Sequence, residues 1–430
     1  MNKDKPTILI IFGISGDLAK RYLLPAIDAI AKAKMLPEQF EIVGVTRQES
    51  SIYFQMNTTD IQDYKKLNEH LKKIEESFRE PAQRLFYLSV PPNVSQSIVE
   101  FLGESGLSKI GDTKILLEKP FGINLESAIS LTKHIDKYFL PTQVYRVDHY
   151  MAKETAQNII IFRGGNSLFK KTWNKDFIES IKIIVSEKID IEGRVNFYEQ
   201  TGALRDVVQS HLLQLAALSL MELPNNSEEV PVLREKALKY LNIVCDIEKS
   251  ECVKRAQYEG YRDEVQNVDS MTETFVSVNL QSSDPRWFGV PIVLTTGKAL
   301  NERCTVIKIL YKKDKENQEN QSNELLFRIQ PDPGIEFSIW TKNPGYEYKT
   351  NPQVMHFLFK EYHEDLPDAY EQVLFNAINS DHSLFTGSGE VLETWRIIDL
   401  MQKSWERSSE DLIIYKKGST MEEVVAKFTE

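Results

Sequence analysis

The chain has 430 residues, 41% hydrophobic and 27% charged, the composition of a globular protein too long for one ordinary core, so two domains are expected. Its formal charge of −11 argues against general nucleic-acid binding and leaves room only for local anion sites where a few basic residues converge. No apolar run approaches the roughly 18–20 residues needed to span a bilayer, so no membrane anchor is expected.

The opening MNKDKPTILIIFGISGD runs from an apolar stretch straight into a glycine motif, without the small-residue cleavage site of a signal peptide. Cys245, Cys252 and Cys304 form no CxxC pair, so neither a disulfide framework nor a zinc site is expected, and a reducing cytoplasm fits. There is no internal repeat. The most polar stretch, KKDKENQENQSNE (Lys312–Glu324), reads as a hairpin tip or loop.

The first third alternates apolar runs with helical patterns. TILIIFG (Thr7–Gly13) predicts a buried strand, followed by a helix from about Leu18 to Ala33. FEIVGV predicts a second strand. RLFYLSV (Arg84–Val90) predicts a third, with a helix from Asn93. TKILLE (Thr113–Glu118) predicts a fourth, with a helix from Asn124 to about Tyr138, and TQVYRV a fifth. Strand–helix alternation with continuously apolar strands argues for an α/β unit with a parallel sheet covered on both faces. The pattern changes near residue 148. SIKIIVSEKI (Ser180–Ile189) is strand-like, and GALRDVVQSHLLQLAALSLME (Gly202–Glu222) predicts one long helix with a broad apolar face. TETFVSVNL, VPIVLTT, CTVIKILY, ELLFRIQ and IEFSIWT follow with few helices between them, which predicts an antiparallel sheet. Helices near Asp368–Ala377 and Gly389–Lys403 complete an α+β second part.

Candidate chemistry falls at a few places. Gly13-Ile14-Ser15-Gly16 lies between the first strand and a helix, where bare backbone approaches a pyrophosphate and the helix N-terminus offers N–H groups. It is neither a P-loop nor GxGxxG, and a plain strand-to-helix turn has the same local pattern. After the second strand, IVGVTRQ places Arg47 where NAD-binding chains carry an acid. An arginine there pairs with a 2′-phosphate and stacks on adenine, which favours NADP, while the nearby Glu49 keeps NAD open. Glu118-Lys119-Pro120 ends the fourth strand, so Lys119 faces the ligand edge of an open parallel sheet; the Lys119–Pro120 bond is a candidate for a cis peptide.

In YRVDHYMAKE, a helix starting near Asp148 puts His149 and Lys153 at i and i+4 on one face, a small phosphate site to which Tyr150 adds a hydroxyl; a solvated helix start reads equally well. His211 lies mid-helix among apolar residues and is either a satisfied core histidine or a base working near neutral pH. On an α-helix, the five-residue spacing turns Asp206 about 140° away from His211, so a carboxylate partner for His211 is expected from elsewhere. Lys298 and Arg303 alone make a basic turn.

Together these segments resemble the glucose-6-phosphate dehydrogenase family over nearly the whole chain. GISGDLAKR, FYLSVPP, EKPFG, RVDHYMAKE, EGRVNFYEQTGALRDVVQSHLLQ, WFGVPIVLTTGKAL and LPDAYEQVL occur in the family's order. The resemblance implies an N-terminal Rossmann-type doubly wound parallel sheet (1–148) that binds NADP, followed by a β+α domain (149–430) with a large, mainly antiparallel sheet for substrate binding and oligomerisation. It implies oxidation of glucose 6-phosphate at C1 to the 6-phospho-lactone, which opens the pentose phosphate pathway, by a cytoplasmic dimer or tetramer.

Position by position, the resemblance makes His211 the general base and Asp148 the carboxylate paired with it. His149, Tyr150 and Lys153 become the phosphate set, and Glu187 and Asp206 the acids on the sugar hydroxyls. Lys119, Lys298 and Arg303 line the pocket. Gly13, Ile14, Ser15, Gly16, Asp17, Leu18, Lys20, Arg47, Pro91 and Lys119 surround the coenzyme. The chain departs from the pattern at Thr295, where the family usually has arginine, and at Ser210, where it usually has asparagine. It is also shorter between Arg47 and Arg84, which bears on the adenine side, and no basic cluster near the C-terminus predicts a second, structural NADP. Two other readings stay open: a sugar or inositol dehydrogenase of the Gfo/Idh/MocA kind, which also carries an EKP segment, and a catalytically silent nucleotide-binding protein.

Overall fold

The computed structural model describes residues 5–243, 253–313, 322–362, 365–405 and 411–428. Cys245, Cys252 and most of the polar stretch expected to form a hairpin tip lie outside the described residues. The chain forms two compact units: residues 1–152, 225–232 and 367–392 make the first, and 153–224, 233–366 and 393–430 the second.

The first unit is built on β1 (Thr7–Phe12), α1 (Leu24–Lys32), β2 (Phe40–Thr46), β3 (Phe54–Gln55), α2 (Ile61–Glu75), β4 (Gln83–Leu88), α3 (Pro92–Glu104), β5 (Asp112–Leu117), α4 (Leu125–Asp136) and β6 (Val144–Arg146). All six strands are parallel, in the order β3-β2-β1-β4-β5-β6, the arrangement of a doubly wound dinucleotide-binding sheet. Alternate strand residues face opposite sides. Leu9, Ile11, Leu85, Tyr87, Leu116 and Tyr145 form one apolar cluster with Ala26, Ile27 and Ile30 of α1. On the other face the Phe12 ring meets Phe86 and stacks on Tyr64 of α2, which stacks in turn on Phe101 of α3. Both faces are covered, which is why these strands read as mainly apolar runs.

The remaining elements are α5 (Glu154–Gly165), α6 (Ser167–Thr172), β7 (Ile178–Ser186), α7 (Val195–Ala203), α8 (Leu213–Leu220), α9 (Val230–Tyr240), β8 (Leu241–Ile243), β9 (Val253–Tyr258), α10 (Tyr261–Glu264), β10 (Phe275–Ser282), β11 (Ile292–Gly297), β12 (Cys304–Tyr311), β13 (Glu324–Gln330), β14 (Gly334–Lys342), β15 (Thr350–Leu358), α11 (Ala369–Ile378), α12 (Ser388–Trp405), β16 (Leu412–Tyr415) and α13 (Met421–Ala426). The second unit's ten-stranded sheet runs β15-β14-β13-β12-β7-β11-β10-β9-β16, with β8 paired to β10. It is mainly antiparallel, as expected; among the described residues the parallel pairs are β7–β11 and β9–β16. Strands β12 and β13 alternate buried and half-buried residues, and Phe162 of α5 packs edge-on against Phe327, so helices cover one face of this part of the sheet.

Two expectations are corrected. Gly202–Glu222 is not one α-helix. Gly202 is non-helical (φ 64°, ψ 175°) near the end of α7, Leu204–Leu212 is π-helical, and only Leu213–Leu220 is α-helical, as α8. And α11, from the far end of the sequence, belongs to the first unit: Val373, Leu374 and Ala377 join the α1 side of its core.

Candidate active site

In the first unit, the expected coenzyme residues gather at the carboxyl ends of the parallel strands. The strand order reverses between β1 and β4, the switch point where an open parallel sheet forms its ligand crevice. Gly13 follows β1 with φ +82°, and a Cβ on it would stand 2.2 Å from the Ser89 carbonyl oxygen at the end of β4, so only glycine fits. The Gly16 N–H donates to the Gly13 carbonyl (2.8 Å), closing the turn, and Asp17 and Leu18 begin the helix. Ala19–Leu23, which includes Lys20, is π-helical before α1 takes over. This bare-backbone cradle suits a pyrophosphate. Arg47 is exposed directly after β2, and Pro91 is the N-cap of α3 beyond β4. The shortened segment between Arg47 and Arg84 still carries β3 and α2, so the sheet is complete on that side.

Beyond β5, the Lys119–Pro120 peptide is cis. The carboxyl of Glu118, a residue the sequence reading passed over for its neighbour, accepts a short hydrogen bond from the Tyr87 hydroxyl of β4. Burial pushes Glu118 up to about 7, the Tyr87 bond and Lys119 pull it back, and Asp148 adds to the rise. Lys119 and Asp148 thus act electrostatically on one buried carboxyl at this edge of the sheet. Beyond β6, Asp148 is 2% exposed and accepts the Tyr150 N–H at 3.0 Å, and the His149 and Tyr150 rings lie 5.1 Å apart.

The expected helix start at Asp148 is overturned. Residues 149–152 form a turn, and α5 begins at Glu154 with Lys153 as its N-cap in extended conformation (φ −70°, ψ 137°). His149 and Lys153 therefore do not share a helix face. The Asp148 side chain captures the Tyr150 N–H, a local bond that competes with helix formation.

In the second unit, Glu187 directly follows β7 and makes a tight ion pair with Lys298, which directly follows the neighbouring β11. Lys298 is 2% exposed and its ammonium lies 5.3 Å from the Tyr198 ring centroid. Backbone bonds brace the pair: Glu187 N–H to Gly297 O (2.9 Å) and Leu300 N–H to Glu187 O (3.0 Å). Arg303 is exposed between β11 and β12. Thr295 is buried and bonds Ser277 (3.1 Å), so this position carries a strand-to-strand hydroxyl contact. Ser210 donates to the Asp206 carbonyl at 3.1 Å.

His211, 5% exposed, lies in the π-helical segment with Asp206. This alters the geometry on which the five-residue spacing was judged. In a π-helix the bonded spacing is i→i+5, so Asp206 stands about one turn before His211, on the same side, instead of about 140° away. The apolar pattern of the sequence cannot separate the two helix types, because the segment is buried nearly all round. The reading also missed Tyr198 and Glu273. Tyr198 is fully buried with no hydrogen-bond partner for its hydroxyl among the described residues. Burial, and then the charges of Asp206, Glu273 and Glu187, hold that hydroxyl well above its usual range.

Sequence profiles decide the family. The glucose-6-phosphate dehydrogenase NAD binding domain matches residues 10–52 and 49–158, and the glucose-6-phosphate dehydrogenase C-terminal domain matches residues 160–430. The chain belongs to the glucose-6-phosphate dehydrogenase family. Among its relatives, a glucose-6-phosphate 1-dehydrogenase of Chlamydia muridarum is 34% identical over 94% of this chain and 91% of its own length. One of Bacillus subtilis is 32% identical over 97% and 95%. A solved glucose-6-phosphate dehydrogenase in complex with its substrate glucose 6-phosphate superposes with a TM-score of 0.93 at 28% identity, covering 99% of this chain and 97% of that one. The first unit is thus a nicotinamide-dinucleotide-binding domain of this family. No helix among the described residues is long and apolar enough to cross a membrane.

Proposed function

We propose that the chain is a glucose-6-phosphate 1-dehydrogenase that oxidises glucose 6-phosphate at C1 to 6-phospho-D-glucono-1,5-lactone, in the cytoplasm, as a dimer or tetramer. The observation that carries this reading is that the two family domains together match every segment holding a candidate group, over residues 10–52, 49–158 and 160–430. Bound at the Gly13–Gly16 turn, NADP supplies the hydride acceptor. Arg47, exposed at the end of β2 with no acid beside it in TRQ, supports NADP over NAD through pairing with the 2′-phosphate.

In this reading His211 takes the C1 hydroxyl proton and Asp148 is the carboxylate that orients it. His149, Tyr150 and Lys153 take the phosphate. Glu187 and Asp206 hold sugar hydroxyls, and Lys119, Lys298 and Arg303 complete the cationic side. The Glu187–Lys298 pair supports this: a buried ammonium held by one carboxylate and an aromatic face is pre-set to donate to a polyol without reorganising.

The test is steady-state turnover with glucose 6-phosphate and each coenzyme. NADPH formation with kcat/KM at least about tenfold above that for NAD is expected. Absence of turnover by folded protein, or equal rates with unphosphorylated glucose, would overturn the reading.

A further inference from the structure

Glu273 is buried, 8% exposed, just ahead of β10, and no role has yet been given to it. Its side-chain Oε1 accepts the Leu204 N–H at 2.9 Å, and its backbone carbonyl accepts the Ala203 N–H at 3.0 Å. These are the first N–H groups of the π-helical segment. Gly202 has broken the preceding helix, so the carbonyls one turn back are not in line to receive them. A Cβ on Gly202 would stand 2.3 Å from the Glu273 Oε1, so the glycine both breaks the helix and admits the acid. The adjoining Thr274 carbonyl accepts the Lys298 N–H at 3.0 Å, and the Tyr415 hydroxyl bonds the Lys298 carbonyl at 2.6 Å. One two-residue segment therefore holds both the start of the helix carrying Asp206 and His211 and the turn carrying Lys298.

We propose that Glu273 is a positioning residue for the reaction: it fixes the register of the π-helical segment, and through it the placement of the His211 imidazole relative to Lys298. The proposal rests on the assignment of His211 as the base. A π-helix closes fewer favourable contacts per turn than an α-helix, so its register needs an external hold. A buried acceptor on the first N–H groups supplies one. Burial raises the Glu273 carboxyl, and the Leu204 N–H and Arg205 oppose that rise.

The test compares Glu273→Ala with Glu273→Gln, whose amide oxygen keeps the acceptor. In the Ala variant, kcat with glucose 6-phosphate falls roughly 10–10²-fold, the effect of a base displaced by about an ångström. KM for the dinucleotide stays unchanged, because the Gly13–Gly16 turn belongs to the other unit. With C1-deuterated substrate the isotope effect on kcat rises, since hydride transfer becomes slower relative to the other steps. The Gln variant returns to within about threefold of the parent. A purely structural role would lower the melting temperature but leave the isotope effect and the rate per folded molecule where they were; that result, or a Gln variant as impaired as Ala, overturns the proposal. If the Ala variant does not fold, Glu273→Asp, one methylene too short to reach Leu204, gives the same readouts. The titration of the His211 imidazole resonances, followed without substrate, needs no turnover. It shifts in the Ala or Asp variant and not in the Gln variant; unmoved resonances overturn the proposal even if the parent chain proves inactive on glucose 6-phosphate, which would separately sink the assigned reaction.

Discussion

A single histidine carries the proposed proton transfer, and its surroundings explain why it is suited to that work. His211 is buried in a segment where Val207, Val208 and Leu212 are buried too, which limits the access of bulk water to it. Replacing it by asparagine keeps the volume and a hydrogen-bonding tip but removes the base. His211→Asn should lower kcat by at least about 10²-fold with KM for the coenzyme unchanged, as steady-state kinetics will show. An unchanged rate would return His211 to the core-histidine reading that its apolar neighbours also permit.

At the scale of elements, the parts legible in the sequence were those whose burial leaves a periodic mark. The strands β1, β4 and β5 are covered on both faces and carry apolar runs, Ile8–Phe12, Leu85–Leu88 and Ile115–Leu117. The glycine turn was legible as well, because Gly13 has no alternative beside Ser89. The π-helical segment left no mark, since a nearly all-buried helix hides its period, and so the change of helix type between Asp206 and His211 was not legible. β15 was missed for the opposite reason: it is exposed along its length and contains Pro352, which a strand tolerates at a sheet edge.

The return of α11 to the first unit was invisible too, and it depends on a buried cation. The Lys114 ammonium of β5 donates to Gln83 Oε1 (2.7 Å), to the Ala377 carbonyl at the end of α11 (2.8 Å) and to Ser380 Oγ (2.7 Å). Burial depresses its pKa from 10.5 to about 8. The sign follows: between these values the native state has shed a proton that the unfolded chain keeps, so stability rises with pH, and the gain is lost as pH falls through 8. At full development it amounts to about 3 kcal/mol. The difference in unfolding free energy between the parent and Lys114→Met should therefore grow from pH 8 to pH 10 in denaturant titrations. A pH-independent difference would show that Lys114 does not titrate in this range.

For the molecule as a whole, the question is what covers the second unit's sheet. Nine strands in sequence give it two edges, and at one of them β15 presents Val354, Met355 and Phe357 at 54%, 59% and 39% exposure. A long, apolar, unprotected edge is a site for pairing with another chain, and natural sheets otherwise blunt such edges with charge. Here Pro352 is the only blunting residue inside the strand apart from His356, and Tyr348 and Tyr362 flank it at 90% and 63% exposure. Met355 and Phe357 share one side of the strand, and methionine and aromatic residues are enriched in interface cores. Light scattering at micromolar concentration should give at least twice the 49.6 kDa of one chain. Met355→Lys combined with Phe357→Lys places two charges on one side of that strand. It should shift the mass to that of a single chain while leaving the melting temperature of the first unit in place, because neither residue belongs to it. A single-chain mass for the unmodified protein would rule out the edge as an interface and leave its apolar residues to be explained by another partner.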